Sequence, residues 1–174
     1  MSYVDTSVIA AALDSSDARQ YAALEALESR REKVVSELVL LELAGILARR
    51  REILEDLARS LGIEARDLLL PAAILYIVRK FKLRYVQVEG SESYYFLAVS
   101  KPVSRALKLS STISLGALDL MHLAYIDALR DQGEDLEELL TADEDFSREA
   151  EIIEKLVGVK VTQLTPQKAY PAAP

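Results

Sequence analysis

The sequence contains no cysteine and only one histidine among its 174 residues. Without cysteine, a disulfide framework and thiolate chemistry are excluded, and the lack of thiols fits a reducing compartment. A serine-type catalytic triad would have to use the single histidine, His122, and no G-x-S-x-G elbow accompanies it. Cysteine-based nucleophilic chemistry is therefore excluded, and serine-based chemistry is disfavoured.

Long apolar runs are also missing. The longest run, residues 68–78, is interrupted by Pro71 and is well short of the roughly 20 residues that cross a bilayer. The first residues lack a basic segment followed by a longer apolar stretch, so they do not form a secretory signal. We therefore expect a cytoplasmic protein that makes no use of a membrane.

Glycine-rich phosphate loops are absent, since no Walker pattern and no G-x-G-x-x-G follows the first predicted strand. This disfavours NTPases and nucleotide-fold dehydrogenases. The net charge of −7 argues mildly against nucleic acid as a partner, because nucleic-acid binders usually carry a basic footprint. However, basic residues are grouped at 49–51 and 79–84, and bound divalent cations would cancel part of the negative charge locally.

The alternation of short β-type runs with longer helical patterns predicts βα units and a parallel sheet with helices on both faces. Pro71 is expected either to kink its helix or to lie in the first turn of a new one. The predicted strands are 2–4, 33–35, 83–88, 139–141 and 159–163. The predicted helices are 15–31, 37–50, 52–61, 64–80, 92–109, 115–132 and 145–156.

A few carboxylates stand out because they lie in apolar surroundings, where a charge must be paired, neutralised or bound to a metal. Asp5 directly follows the first predicted strand, and Asp143 follows the fourth. Glu42 and Asp119 each interrupt an apolar helical run. Ligands of open α/β sheets bind at the carboxyl ends of strands, so these four residues are candidates for one metal site.

Each of these carboxylates also has a purely structural explanation. Asp5 and Asp143 could cap the helices that follow them. Glu42 could pair with Arg49, which lies two helical turns further on the same face. Asp119 could simply favour the positive end of its helix dipole.

Other polar groups flank the candidate carboxylates. Asp145 could reach the cluster from one position outward, and Ser7 and Thr141 could supply hydroxyl groups. His122 lies three residues after Asp119, and we expect it to be a hydrogen-bonded core or supporting group rather than a ligand. Oxygen ligands favour Mg²⁺ or Mn²⁺ over zinc.

Four motifs carry a resemblance to a known family. They are Y-V-D-T-S at 3–7, V-S-E-L-V-L-L-E-L at 35–43, A-L-D-L-M-H-L-A at 117–124 and L-L-T-A-D-E-D-F at 139–146. Their content and order resemble the PIN domain, and within it the VapC-type toxins of prokaryotic toxin–antitoxin pairs. The chain differs from a compact VapC by extra helix between residues 51 and 82 and a longer segment at 101–118.

The resemblance implies a Rossmann-like α/β/α sandwich with a central parallel sheet of about five strands. It covers one PIN domain at residues 1–165, and the Pro- and Ala-rich composition of residues 166–174 predicts a loosely held tail. It also implies a cluster of acidic residues that holds Mg²⁺ or Mn²⁺ for hydrolysis of RNA. The matching acidic positions are Asp5, Glu42, Asp119 and Asp143, with Asp145 as a further one, and the hydroxyl position near the first aspartate matches Thr6 or Ser7.

The function we expect is that of a toxin endoribonuclease with an RNA substrate and a small antitoxin partner. Arg49 could hold the RNA backbone or only complement its helix dipole. Alternatives are a PIN nuclease of RNA processing without an antitoxin, a non-catalytic PIN module, and a phosphatase of another fold, whose D-x-D motif is missing. We also expect a homodimer through the apolar segments 68–78 and 94–97, unless both pack in the core.

Overall fold

A five-stranded parallel sheet forms the centre of the computed structural model, which describes residues 1–166. The strand order is β3-β2-β1-β6-β7, and every neighbouring pair is parallel. The predicted tail therefore lies outside the described residues except for its first residue. The strands are β1 (Ser2–Val4), β2 (Lys33–Val35), β3 (Leu83–Tyr85), β4 (Ser91–Tyr94), β5 (Leu97–Ser100), β6 (Glu138–Thr141) and β7 (Lys160–Gln163).

The helices cover both faces of this sheet. From β1 the chain steps outward through β2 to β3, and it then returns to the other side of β1 for β6 and β7. Because such crossovers are right-handed, the reversal sends the two groups of helices to opposite faces. The helices are α1 (Thr6–Leu13), α2 (Gln20–Ser29), α3 (Glu37–Arg49), α4 (Arg51–Leu61), α5 (Arg66–Lys80), α6 (Lys101–Leu109), α7 (Ala117–Asp131), α8 (Glu144–Arg148) and α9 (Ala150–Val157).

The core lies where the two helical layers meet the central strands. Tyr3, Val4, Val34 and Val35 are completely buried, as are Leu139 and Leu140 of β6. Strands covered on both faces read as continuous apolar runs, and this is why the short β-type segments were recognisable in the sequence. The predicted α/β/α architecture is confirmed.

The predicted helix at 92–109 is wrong in its first half. Residues 91–100 form the antiparallel hairpin of β4 and β5, in which Tyr94 pairs with Leu97. Tyr95 makes the tight turn with φ +53°, a left-handed conformation that few non-glycine residues adopt. Helix α6 begins only at Lys101, with Pro102 in its first turn, where a missing N–H costs nothing.

The predicted helix at 15–31 also differs from the structure. Only residues 20–29 of it are helical, as α2, and the chain between α1 and α2 turns on aspartate side chains. Asp14 accepts a hydrogen bond from the backbone N–H of Ser16 at 2.9 Å, and Asp17 accepts one from Arg19 at 2.8 Å. Such local side-chain bonds compete with the helix. Pro71 lies inside a single helix, α5.

The longest of the described helices, α5 and α7, have 15 residues each. None of them is both long enough and apolar enough to cross a bilayer.

One ion pair connects α2 to β6. The Arg30 guanidinium donates two hydrogen bonds of 2.9 Å to the Glu138 carboxylate, which also accepts one from Ser2. The Arg30 guanidinium lowers the pKa of Glu138 to about 2 against the opposing effect of burial, with help from Ser2 and Thr162. Because the folded pKa lies below the unfolded value, this stabilisation is complete above about pH 5 and is lost as the pH falls towards 2.

We predict that Glu138→Gln lowers the free energy of unfolding at pH 7 by about 1–3 kcal/mol, the contribution of hydrogen bonds to a charged group. Denaturant titrations at several pH values should show the difference from wild type shrinking between pH 5 and pH 2. The exposed Glu154→Gln is the control and should follow the wild-type curve. A constant difference at every pH would contradict this assignment.

Candidate functional site

The candidate site lies at the carboxyl edge of the sheet, between β1 and β6. The strand order reverses there, and the crevice outside such a switch point is where open α/β sheets bind ligands. Asp5 follows β1, and its backbone N–H donates to Leu140 of β6 at 3.0 Å. Helices from both faces add further side chains, Glu42 from α3 and Asp119 from α7.

Asp5 occupies the N-cap position of α1, but its carboxylate makes no capping hydrogen bond. Only 4% of the residue is exposed. Its Oδ2 atom accepts hydrogen bonds from the Thr141 hydroxyl at 2.7 Å and from the Ser7 hydroxyl. Ser7 Oγ in turn accepts from the Ala142 N–H at 2.9 Å. Asp5 therefore does not cap α1 with its side chain. The hydroxyl groups of Ser7 and Thr141, which the sequence singled out, fix the orientation of its carboxylate instead.

Glu42 is held by two donors that come from other elements. Its Oε2 atom accepts from Thr6 Oγ1 at 2.6 Å and from His122 Nε2 at 2.9 Å. Burial raises the pKa of Glu42, but these hydrogen bonds outweigh burial and the net pKa lies below its ordinary value. Glu42 pairs with His122 and not with Arg49. The Arg49 guanidinium lies against Gly45 instead, with Nη1 3.3 Å from the position that a Cβ atom on this glycine would occupy.

His122 lies at the centre of a buried polar chain and is only 2% exposed. Its Nδ1 atom is 3.0 Å from the Tyr3 hydroxyl, which is 2.7 Å from Ser36 Oγ. Its Nε2 atom also lies 3.3 Å from Asp5 Oδ1. Burial lowers the pKa of His122, yet the neighbouring Glu42 and Asp5 carboxylates outweigh burial and raise its pKa.

Asp119 lies in the first turn of α7, on the opposite face of the sheet from Glu42. The N-cap of this helix is Gly116, and the Asp119 carboxylate folds back against it. Burial raises the pKa of Asp119, and the carboxylates of Asp143 and Asp5 raise it further, while His122 and a backbone hydrogen bond from Gly116 oppose them. Asp119 is therefore a half-buried acid close to other acids.

Asp143 and Asp145 differ in their surroundings. Asp143 caps α8 by accepting the Asp145 N–H at 2.9 Å, so the capping interpretation holds, although its charge also acts on Asp119. Asp145 is exposed and forms an ion pair with Arg148. Arg19, which the sequence did not single out, donates to the Ala142 carbonyl at 2.5 Å and lines the opening beside Asp143.

The arrangement fits a divalent cation. One donor atom each from Asp5, Glu42 and His122 lies within 4.8 Å of the others. Asp119 and Asp143 lie outside this group of three, but burial raises the pKa of Asp119 and the charge of Asp143 raises it further. A cation among these oxygen atoms would offset the repulsion between the carboxylates. His122 is a buried hydrogen-bonded group, as the sequence led us to expect, and it also offers one donor atom to this cluster.

Comparisons with known proteins agree with this architecture. A family model described as the PIN domain matches residues 2–152. The structure is similar to that of the toxin VapC20 from Mycobacterium tuberculosis, which is described as cleaving the sarcin-ricin loop. The TM-score is 0.56, the sequence identity is 20%, and the match covers 85% of this chain and 94% of that chain. The structure is also similar to that of VapBC2 from Rickettsia felis, which was solved bound to a DNA fragment from its promoter. The TM-score is 0.55, the sequence identity is 14%, and the match covers 95% of this chain and 100% of that chain. A search of curated proteins found no match.

We predict that Gly116→Ala weakens the stabilisation of the folded protein by Mn²⁺. The new Cβ would lie 3.0 Å from Asp119 Oδ2, so the carboxylate must shift from its present position by a few tenths of an ångström. The control is Gly62→Ala, which has a φ of +66° and open space around it. Both changes should cost about 1 kcal/mol, but only the first should reduce the rise in melting temperature with Mn²⁺. Equal Mn²⁺ responses would show that the Asp119 position is unimportant.

Proposed function

The chain belongs to the PIN domain family, and we propose that it is a metal-dependent endoribonuclease, the toxin of a toxin–antitoxin pair. The observation that supports this most is the meeting of Asp5, Glu42 and His122 at the switch point of the sheet, where the charges of Asp143 and Asp5 also act on Asp119. These residues come from four separate parts of the chain and from both helical layers. Helix capping accounts for Asp143, and Asp119 also accepts a hydrogen bond from its N-cap Gly116, but capping accounts for neither Asp5 nor Glu42.

Asp5, Glu42, Asp119 and Asp143 would hold the ion, and oxygen donors favour Mg²⁺ or Mn²⁺. When bound, such a cation supplies stabilisation of the charge that grows on the phosphate and lowers the pKa of an attacking water. Asp145 is the outermost of the acidic residues and could join the set only after leaving Arg148.

The hydroxyl groups and His122 would act as positioning residues. Thr141 and Ser7 fix the orientation of Asp5, and Thr6 does the same for Glu42. The His122 ring directs one N–H at Glu42 Oε2, which leaves the other carboxylate oxygen for the ion. Metal ligands held by such supporting hydrogen bonds keep their geometry when the ion binds or leaves.

We propose that two arginines bind the substrate backbone. The Arg49 guanidinium folds back over Gly45, one helical turn from Glu42, and the structure gives it no ion pair among the described residues. Arg19 borders the opening beside Asp143, where its guanidinium already forms an ion pair with Asp17 that an RNA phosphate would have to compete with. RNA as the substrate is supported by the description of VapC20 as a toxin that cleaves the sarcin-ricin loop, and a small antitoxin as partner by the likeness to VapBC2.

We predict that Asp5→Asn, Glu42→Gln, Asp119→Asn and Asp143→Asn each abolish RNA cleavage in Mg²⁺ or Mn²⁺ while the protein stays folded. Each change removes a charge that would hold the ion but keeps the shape of the side chain. Cleavage of a labelled RNA is the measurement, with circular dichroism as the check on folding. Exposed Asp56→Asn is the control and should keep full activity. Full activity in any of the first three variants would refute the site.

Thermal melts of Asp119→Asn provide a readout that does not depend on activity. Without metal the variant should melt at or above the wild type, because the repulsion among the carboxylates is relieved. With excess Mn²⁺ the wild type should gain stability by mass action, about 2.7 kcal/mol at a hundredfold excess over Kd, and the variant should gain less. A variant that loses stability in chelator and keeps the full Mn²⁺ response would show Asp119 to be only a helix-end residue.

We predict a homodimer that uses the exposed parts of two apolar segments. Leu68 and Leu75 of α5 are exposed, and Phe96 at the hairpin tip is 92% exposed, although Ala73 and Ile77 are buried in the core. Exposed apolar patches mark interfaces. Light scattering at micromolar concentration should give a dimer for the wild type and a monomer for Phe96→Ser. The control, Leu156→Ser on α9, should stay dimeric, and a monomeric wild type would reject the interface.

A further inference from the structure

A second polar cavity lies at the opposite, amino-terminal edge of the sheet. Its volume is about 500 Å³, and it lies where α2 ends and where β2 and β3 begin. Lys33 and Leu83 are paired first residues of β2 and β3, which places the cavity at the far end of these strands from the metal site. Five basic residues line it, Arg30, Arg31, Lys33, Lys80 and Lys82, against one acidic residue, Glu28.

Lys33 forms the floor of this cavity and is only 3% exposed. Its ammonium donates to the Arg30 carbonyl at 2.6 Å, and no carboxylate among the described residues pairs with it. Burial lowers the pKa of Lys33, and the charges of Lys82 and Arg30 lower it further. A buried cation without a counter-charge is costly, because one carbonyl does not replace the water that the ammonium has lost.

The other basic residues line the same space. Lys82 adopts a left-handed φ of +51° in the turn before β3, a strained conformation for a residue with a side chain. The Lys80 ammonium lies over the Phe81 ring, 5.3 Å from its centre. Among the described residues Lys80, Lys82 and Arg31 form no ion pair, whereas the Arg30 guanidinium is already occupied by Glu138.

We propose that this cavity is a binding site for a phosphate group, carried either by a free nucleotide or by an RNA strand. Several N–H donors and at least three unpaired positive charges face a space of the size typical of small-ligand sites. Lysine ammonium groups bind phosphate as point charges, and a phosphate beside Lys33 would supply its missing counter-charge. Because the cavity lies at the opposite edge from the carboxylates, the proposal does not depend on the nuclease assignment.

Inorganic phosphate is the first probe, applied to the whole chain in chelator. Thermal melts should show that phosphate raises the melting temperature of the wild type and of the control Lys155→Gln, an exposed lysine on α9. Lys82→Gln and Lys33→Met should lose most of this rise. In phosphate-free buffer Lys33→Met should melt at or above the wild type, because a buried unpaired charge has been replaced by an apolar chain of similar length.

Two results would overturn the proposal. One is a phosphate response in Lys82→Gln and Lys33→Met equal to that of the wild type. The other is a Lys33→Met protein that melts lower without phosphate but keeps the full response, because Lys33 would then be a structural residue. If Lys33→Met does not fold, Lys82→Gln against Lys155→Gln decides the question on its own.

Titrations with adenosine monophosphate and with a single-stranded RNA oligonucleotide distinguish the two sources of the phosphate. Tighter binding of the nucleotide, lost in Lys82→Gln, identifies a free nucleotide as the ligand. An RNA phosphate is identified as the ligand if RNA binds at least tenfold more tightly than the nucleotide. Lys82→Gln should then weaken RNA binding and lower the salt dependence of RNA binding by about one phosphate contact. If neither ligand binds more weakly to Lys82→Gln than to Lys155→Gln, the cavity is not a phosphate site.

Discussion

The buried hydrogen-bonded chain from Ser36 through Tyr3 and His122 to Glu42 is the interaction on which the site depends. It joins the start of α3, the central strand β1 and helix α7, so it ties both helical layers to the middle of the sheet. Inside a protein such bonds are stronger than in water, and an unpaired member is costly. The same contacts that position α3 and α7 therefore also fix the orientation of the Glu42 carboxylate.

Parallel topology explains why negative charge accumulates at one edge. Asp5 and Asp143 follow neighbouring strands that end at the same edge, and α3 and α7 bring Glu42 and Asp119 to it from opposite faces. The hydroxyl groups and His122 satisfy Asp5 and Glu42, but the Asp119 carboxylate keeps a raised pKa. The fold thus retains an electrostatic cost at this edge that a cation would remove, as expected where function overrides stability.

The sequence predicted the sheet and the candidate carboxylates because both follow from local pattern. Buried parallel strands are apolar on both faces, and an acidic residue such as Glu42 is conspicuous inside an apolar helix. The partner of His122 could not be read in this way, since Glu42 lies 80 residues away. The hairpin of β4 and β5 was missed because its turn relies on Tyr95 in a conformation that has no sequence signature of its own.

The pairing of β1 with β6 has a consequence for the time at which the site can exist. Asp5 and its donor Thr141 are 136 residues apart, and β6 is needed to complete the central sheet. A chain emerging from the ribosome would therefore carry Asp5 and Glu42 long before Asp119 and Asp143 had been synthesised. The proposed site therefore cannot assemble until β6 and the residues that follow it have been translated.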